Sequence, residues 1–485
     1  MTTQPPHNEH ATPHAHPWRE VLAIAGPTVA TMTSYTLMTF VDKWLVSKIG
    51  PEPLYVGAQG NGGLAAWVPI SIAHGTLAIL NTFVAQNLGA GRSDRGPAYA
   101  WNALYLGVAF SLLVLLPYSF TLPLIFNLAR MDPEQAALAT QYGQILLWGA
   151  ALTMVTRTMS QFFFGLHRAR VVMVAGVVAN VFNVLASYAL IFGKFGLPAL
   201  GVAGSAIGTV LATAVEASIP LAVFLGPRMN AALRTRRAWR PSLPHMRDLL
   251  RLGWPGGAMF GNEMVCWAIF MVYLVSHFGR EHATAGWIAH QYMSLSFMPA
   301  VGISVACTAL VGKYQGMGRS DLAVHRAYLC LKAALVYMGI CAVAFVTLRE
   351  PLILLFVPGD TDPDTTHRLV ALGSSFLIAT AAFQLFDAGA MTLSGALRGA
   401  GDTLIPGVLT VVLSWVLIVG GGFALVEFAP ALGSLGPWIA AAAYIALLCL
   451  FLLKRFLGGR WKSIRVVRDH AEPAAAAGAT TDGVI

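Results

Sequence analysis

Twelve long apolar runs, at 20–45, 62–86, 98–125, 137–162, 171–193, 202–226, 250–277, 285–312, 326–348, 368–394, 404–427 and 434–456, constrain this chain more than any other feature. Each exceeds the roughly 20 residues that a helix needs to cross the hydrocarbon core of a bilayer. Lipid offers backbone amides and carbonyls no partners, so such a run spans as a helix with its hydrogen bonds closed internally. The connections are short and leave no room for a soluble enzyme domain. Charged residues make up 11% of the 485, against about 25% in a soluble domain. The fold class is therefore an all-α polytopic membrane protein with twelve transmembrane helices.

The runs fall into two sets of six. Gly89-Ala90-Gly91-Arg92-Ser93-Asp94 follows the second run, and Gly316-Met317-Gly318-Arg319-Ser320-Asp321 follows the eighth, 227 residues later (316 − 89). Neither turn is a nucleotide loop, because no Gly-Lys-Ser/Thr follows. Pro27 pairs with Pro255, Gly165-Leu166-His167-Arg168 with Gly395-Ala396-Leu397-Arg398, and Gly201-Val202-Ala203-Gly204 with Gly433-Ser434-Leu435-Gly436. The reading is a duplicated six-helix unit. It gives a His/Pro-rich disordered tail at 1–18, bundles at 19–226 and 249–457, a basic linker at 227–248 and a disordered tail at 458–485.

The net charge of +9 does not point to nucleic acid, because of where the charge sits. With the amino terminus inside, alternate loops hold Arg92, Arg95, Arg168, Arg170, Lys313, Arg319, Arg326 and Arg398. The linker adds Arg228, Arg234, Arg236, Arg237, Arg240 and Arg247, and the tail Lys454, Arg455, Arg460, Lys462, Arg465 and Arg468. The opposite loops hold little beyond Lys48, Arg130, Lys194, Arg280, Arg349 and Arg368, while Asp360, Asp362 and Asp364 lie together in one of them. This asymmetry predicts a multi-pass protein of the plasma (inner) membrane with both termini cytoplasmic. The linker then faces anionic lipid. Cys266, Cys307, Cys330, Cys341 and Cys449 all lie in apolar runs without metal spacing and read as packing residues. His7, His10, His14 and His16 read as part of a solvated tail.

Polar residues inside the runs carry the functional signal. Glu263 and Asp387 lie deep in the seventh and tenth runs with no basic residue one turn away. A charge there costs several kcal/mol unless it is paired, hydrated or protonated, so both should face a cavity or a partner. Asp42, beside Lys43, fits either a headgroup-level anchor or an acid turned inward. His74 reads as an interhelical hydrogen bonder ahead of a proton-sensitive group, and Arg157 as a side chain that snorkels or meets an acid. Asn183 and Ser187 share a helical face with each other, Asn180 lies one turn earlier, and Glu216 sits in the sixth run.

In order and spacing these residues resemble the multidrug and toxic compound extrusion (MATE) transporters, NorM-like branch, from about Pro27 to Arg455. The likeness rests on the Gly-x-Gly turns, Ala289-His290-Gln291, Glu263, Asp387-Ala388-Gly389 and the stretch Ser394–Thr403. It implies two pseudo-symmetric six-helix bundles around a central cavity, and export of organic, mostly cationic, compounds in exchange for H+ or Na+. It implies a coupling-ion site at Glu263 and Asp387, which together could share a proton or ligate one Na+. The branch's tyrosine one turn before the aspartate is Phe383 here. A first-bundle site would use Asp42 and Asn183, but its third position is Ser187 rather than an acid. Both departures shift the expectation toward H+ at the second bundle, since Na+ wants several oxygens and a proton only a carboxylate. Gln291, Tyr292, Met293, Phe297, Met298, Phe383, Gln384 and Phe386 are the candidates for the cavity wall, where aromatic faces suit flat cations. No cofactor beyond the coupling ion is expected. The partners would be small organic cations and lipid, with no nucleic acid, and the protein would act as a monomer.

Three other readings compete. A lipid-linked or polysaccharide flippase of the same superfamily would line its cavity with cations, whereas the deep charges here are mainly acidic. An intramembrane enzyme needs a cluster such as His-Glu-x-x-His or Gly-x-Ser-x-Gly, and neither occurs. A channel would show a filter-like segment, and duplicated halves favour alternating access instead.

Overall fold

The computed structural model describes residues 16–50, 54–357 and 362–467. The histidines at 7, 10 and 14, the loop residues 358–361 and the chain after 467 lie outside them.

Among the described residues, eleven helices are long and apolar enough to span: α1 Pro17–Val46, α2 Leu54–Gly89, α3 Ser93–Ser119, α5 Ala169–Phe192, α6 Val202–Leu225, α7 Leu243–Phe278, α8 Glu281–Gly316, α9 Ser320–Thr347, α10 Pro363–Ala400, α11 Leu404–Phe428 and α12 Leu435–Leu457. The twelfth, α4, is broken at Gly149 into Pro133–Trp148 and Ala150–Gly165. A methyl at Gly149 would sit 2.5 Å from the Val210 side chain, so α6 crosses α4 at the break. In the first lobe α5 packs on α6, α2 on the first part of α4, and α3 on its second part. In the second, α10 is the hub for α8, α9 and α12. The lobes meet along α2 with α7, α2 with α8, and α1 with α8.

The repeat is written into the backbone. Gly91 and Gly318 adopt φ 72° and 73°, and Gly201 and Gly433 adopt φ 54° and 52°, a region open to glycine without a Cβ penalty. Asp132 caps α4 by accepting from the Glu134 and Gln135 amides at 3.1 and 3.2 Å. Asp362 caps α10 by accepting from Thr365 N at 3.1 Å.

The glycines that open the two repeated turns do more than stop helices. A Cβ on Gly89 would lie 1.8 Å from Lys313 O, and one on Gly316 would lie 2.1 Å from Gln86 O. Lys313 stands to Gly316 as Gln86 stands to Gly89, so α2 and α8 cross reciprocally at the pseudo-twofold axis, backbone on backbone.

Inter-lobe contacts gather near the face that carries both ends of the described chain. Thr28 Oγ1 donates to Gly302 O at 2.9 Å, Thr82 Oγ1 to Arg398 O at 2.8 Å, and Gln86 Nε2 to Gly399 O at 3.0 Å. Gly75 and Gly253 abut Gly256 and Thr76 across the same seam. The lobes are clasped at this face.

Three expected boundaries move. Residues 243–248, read as linker, form the first turns of α7, because Pro244 sits in the opening turn where its missing N–H costs nothing. The rest of the linker is docked rather than free: Trp101 Nε1 donates to Thr235 O and Ser242 N to Asn102 Oδ1, both at 2.8 Å. The start of the expected disordered tail, 458–467, is also ordered. Trp461 is fully buried, stacked on Phe456 at 5.1 Å, and its Nε1 donates to Phe456 O at 2.8 Å. Gln315 Nε2 donates to Lys462 O and Ile464 O, and Val466 N donates to Gln86 Oε1, so this segment straps both lobes. At the other end, Pro17 and Trp18 begin α1 rather than ending a tail.

Candidate functional site

In the second lobe, α7 brings Glu263 and α10 brings Asp387 close enough to interact electrostatically. Both carboxylates are half-buried. Tyr444 on α12 donates its hydroxyl to Glu263 Oε1 at 3.4 Å, and the Arg398 charge also reaches Glu263. The site therefore holds two acids, one phenol and one guanidinium. Two acids drawn together inside apolar helices are costly unless a proton, a small cation or a basic partner accompanies them. Sequence reading missed Tyr444, because no spacing along the chain links residues 181 positions apart.

A second polar cluster lies in the first lobe. Asp42 is buried and turned inward, which settles its two readings against the headgroup anchor, while Lys43 is exposed. Thr209 Oγ1 donates to Asp42 Oδ2 at 3.4 Å, and Asn183 and Ser187 face the same carboxyl. Gln59 Nε2 donates to Ser205 Oγ at 3.3 Å beside it. Asp42 Oδ1, Asn183 Oδ1 and Nδ2, Ser187 Oγ and Gln59 Oε1 are buried without a hydrogen-bond partner. Buried polar atoms are rarely left unpaired, so these side chains are placed to pair with one another around the Asp42 carboxyl. The first lobe thus assembles its cluster although Ser187 is not an acid.

Between these sites, Tyr35 on α1 donates to Glu216 Oε1 on α6, and Arg157 Nε donates to His74 O at 3.3 Å. Arg157 and Arg398, one from each lobe, are within electrostatic reach of each other. The expected hydrogen-bonding role of His74 is not met by its ring. Its Nδ1 is buried without a partner, and the imidazole lies 5.5 Å from the Trp67 ring and 6.4 Å from the Phe260 ring.

Four expected cavity residues of the second lobe are interior packing in this conformation: Tyr292, Met293, Phe383 and Gln384 are 7%, 9%, 1% and 0% exposed, and Asn183, also expected at the cavity, is buried in the first-lobe cluster. Tyr292 donates to Leu352 O and Gln384 Nε2 to Ser296 Oγ, both at 2.8 Å, so these side chains tie α8 and α10 into the lobe's own core. Periodicity showed that they lie on helices but not which helix face looks inward. Gln291 and Phe386 are exposed. Past Arg398, the end of the stretch Ser394–Thr403 is structural: Gly401 ends α10 at φ 92°, Asp402 accepts from Arg455 Nε at 2.8 Å, and Thr403 Oγ1 donates to Leu252 O at 2.7 Å. All five cysteines are free thiols, and only Cys341 is less than fully buried. Among the described residues no three His, Cys, Asp or Glu side chains converge as a metal site.

The MatE family model matches residues 27–189 and 262–422, one match in each lobe. A probable multidrug resistance protein NorM of Thermotoga maritima is 31% identical over 389 residues, 79% of this chain and 80% of that one. A protein of the same description from Burkholderia pseudomallei is 29% identical over 446 residues, 89% of this chain and 91% of its own. The crystal structure of a MATE protein in complex with MaL6 superposes with a TM-score of 0.83 at 20% identity, covering 95% of this chain and all of that one. Fold, duplicated family match and relatives agree that this chain is a multi-pass membrane protein of the MatE family, a transporter and not an enzyme.

Proposed function

We propose that the protein is a secondary antiporter that exports organic, mostly cationic compounds in exchange for H+, and that Glu263 and Asp387 carry the coupling ion. The single observation behind this is the pairing of those two acids, from helices 124 residues apart (387 − 263), beside Tyr444 and Arg398. The names of the curated relatives support multidrug efflux. Taking the positive-rich face as cytoplasmic, the clasped state opens outward. A proton taken up from outside neutralises the acid pair, shifts α7 and α10 and lowers affinity for the bound cation, which leaves outward. Ion and drug need only bias one two-state element in opposite directions. Phe383 offers no oxygen ligand one turn before Asp387, and a proton needs only a carboxylate, which favours H+. The chain would act as a monomer, in the inner membrane with both termini cytoplasmic.

A flippase for an anionic lipid is the second reading, favoured by Arg157 and Arg398 approaching each other across the lobes. Four acids, Asp42, Glu216, Glu263 and Asp387, outnumber them and favour a cation. Ethidium uptake into everted membrane vesicles, with pH and Na+ gradients imposed separately, tests both. An acid lumen should drive uptake and a Na+-rich lumen should not. Uptake driven by Na+ alone would reassign the coupling ion, and no uptake under either gradient would refute the antiporter.

A further inference from the structure

One buried charge network belongs to neither ion site. Glu20, in the first turn of α1, accepts from Lys313 Nζ at 3.1 Å through Oε1. Through Oε2 it accepts from Arg326 Nε at 2.8 Å and from the Tyr314 hydroxyl at 2.7 Å. Arg326 also donates to Tyr314 OH at 3.2 Å, and both cations lie over the Tyr314 ring. All the charged side chains are 2–3% exposed. Glu20 is in the first lobe, and all three partners are in the second. The network is thus a contact between the halves, closed and dry.

Its position couples it to the fold. Lys313 is the residue whose carbonyl packs on Gly89 at the pseudo-twofold crossing, so its side chain can hold Glu20 only while that crossing is shut. Its counterpart in the first half, Gln86, makes neutral hydrogen bonds across the seam, so the charged contact is an addition to the symmetric design. Buried ion pairs add little net stability when complete, yet removing one partner leaves an uncompensated buried charge. Glu20 neutralises two cations. Without its charge, Lys313 would keep a buried charge with its carboxylate partner gone, beside the Arg326 guanidinium, and opening this face to water would relieve it. Such a network suits a state-selecting contact better than a fixed structural one.

We propose that Glu20 is the positioning residue that latches the termini face of the transporter shut, and that its contacts to Lys313 and Arg326 break and re-form in every cycle. The inference rests on the alternating-access reading but not on which ion couples transport or where it binds. Its test is an equilibrium measurement without any gradient, so its failure is separable from failure of the coupling site. Thr82, fully buried at the seam, is replaced by the near-isosteric cysteine in a background lacking the five native thiols. A membrane-impermeant maleimide then reports opening of that face. Labelling should be slow in the parent and in Glu20→Asp, and at least tenfold faster in Glu20→Gln and Lys313→Gln. The swapped pair Glu20→Lys with Lys313→Glu, which keeps the charge count, should return it toward the parent rate. Ethidium binding and a monodisperse elution profile check folding, and Lys313→Gln serves if Glu20→Gln does not fold. Unchanged labelling in a folded charge-loss variant would overturn the proposal, as would accelerated labelling that the swap does not reverse.

Discussion

Replacing Gly89 by alanine tests the architecture at its tightest point. The added methyl would lie 1.8 Å from Lys313 O. A Cβ contact below 3.0 Å is essentially never seen, so α2 and α8 must part by at least roughly 1.2 Å. That movement stretches the bonds from Thr82 to Arg398 O, Gln86 to Gly399 O and Val466 to Gln86, now 2.8, 3.0 and 3.2 Å, beyond useful length. At about 1 kcal/mol each, the loss is about 3 kcal/mol before any cost at Glu20. Every 1.4 kcal/mol is tenfold, so the clasped state should lose roughly 100-fold in population against one open at this face. The assay is electron–electron distance measurement between spin labels on the termini face of each lobe, with Gly316→Ala as the symmetric replicate. Gly91→Ala, where φ is 72° but no atom lies within 4 Å, is the control. It should cost only about 1 kcal/mol of local strain and leave the distances alone. If Gly89→Ala and Gly316→Ala keep the parent distances, the reciprocal crossing does not set the closed state.

Trp461→Ala should destabilise the protein by about 3–5 kcal/mol, seen as a lowered melting temperature in detergent, because a fully buried indole leaves a cavity. Had 458–467 been a free tail, nothing would change. Arg455→Ala should cost about 1–3 kcal/mol by leaving the buried Asp402 carboxylate without its 2.8 Å partner, and Asp402→Asn in the same chain should recover part of that loss. Asn183→Leu should slow drug export if the first-lobe cluster takes part in transport, and unchanged export would make it structural.

The chain's pattern shows most of the scaffold, because spanning lipid leaves few options. Run length placed the helices, and the repeated glycine turns revealed the duplication. Glu263, Asp387 and Asp42 stood out for one reason: a charge in an apolar run is costly enough to need a cause. What escaped were relations between helices. Tyr444 meeting Glu263, Tyr35 meeting Glu216 and Glu20 meeting Lys313 join positions 181 to 293 residues apart, and no periodicity encodes them. Lys313 and Arg326 were counted as loop charges obeying the orientation rule, yet each is buried against an acid from the other lobe. Phe383 and Gln384 show the same limit from the other side. Their helix was legible but the face they present was not, so residues expected at a cavity wall turned out to pack a lobe's interior.

The claim that two acids in the second lobe carry the coupling ion is most directly tested by drug-induced proton flux. Purified protein is reconstituted into liposomes with an acid lumen and a trapped pH-sensitive dye, and ethidium is added outside. Wild-type vesicles should lose the pH gradient on addition, and Asp387→Asn vesicles, with equal folded protein and equal ethidium binding, should hold it. Gradient loss in the variant at the wild-type rate would contradict the account.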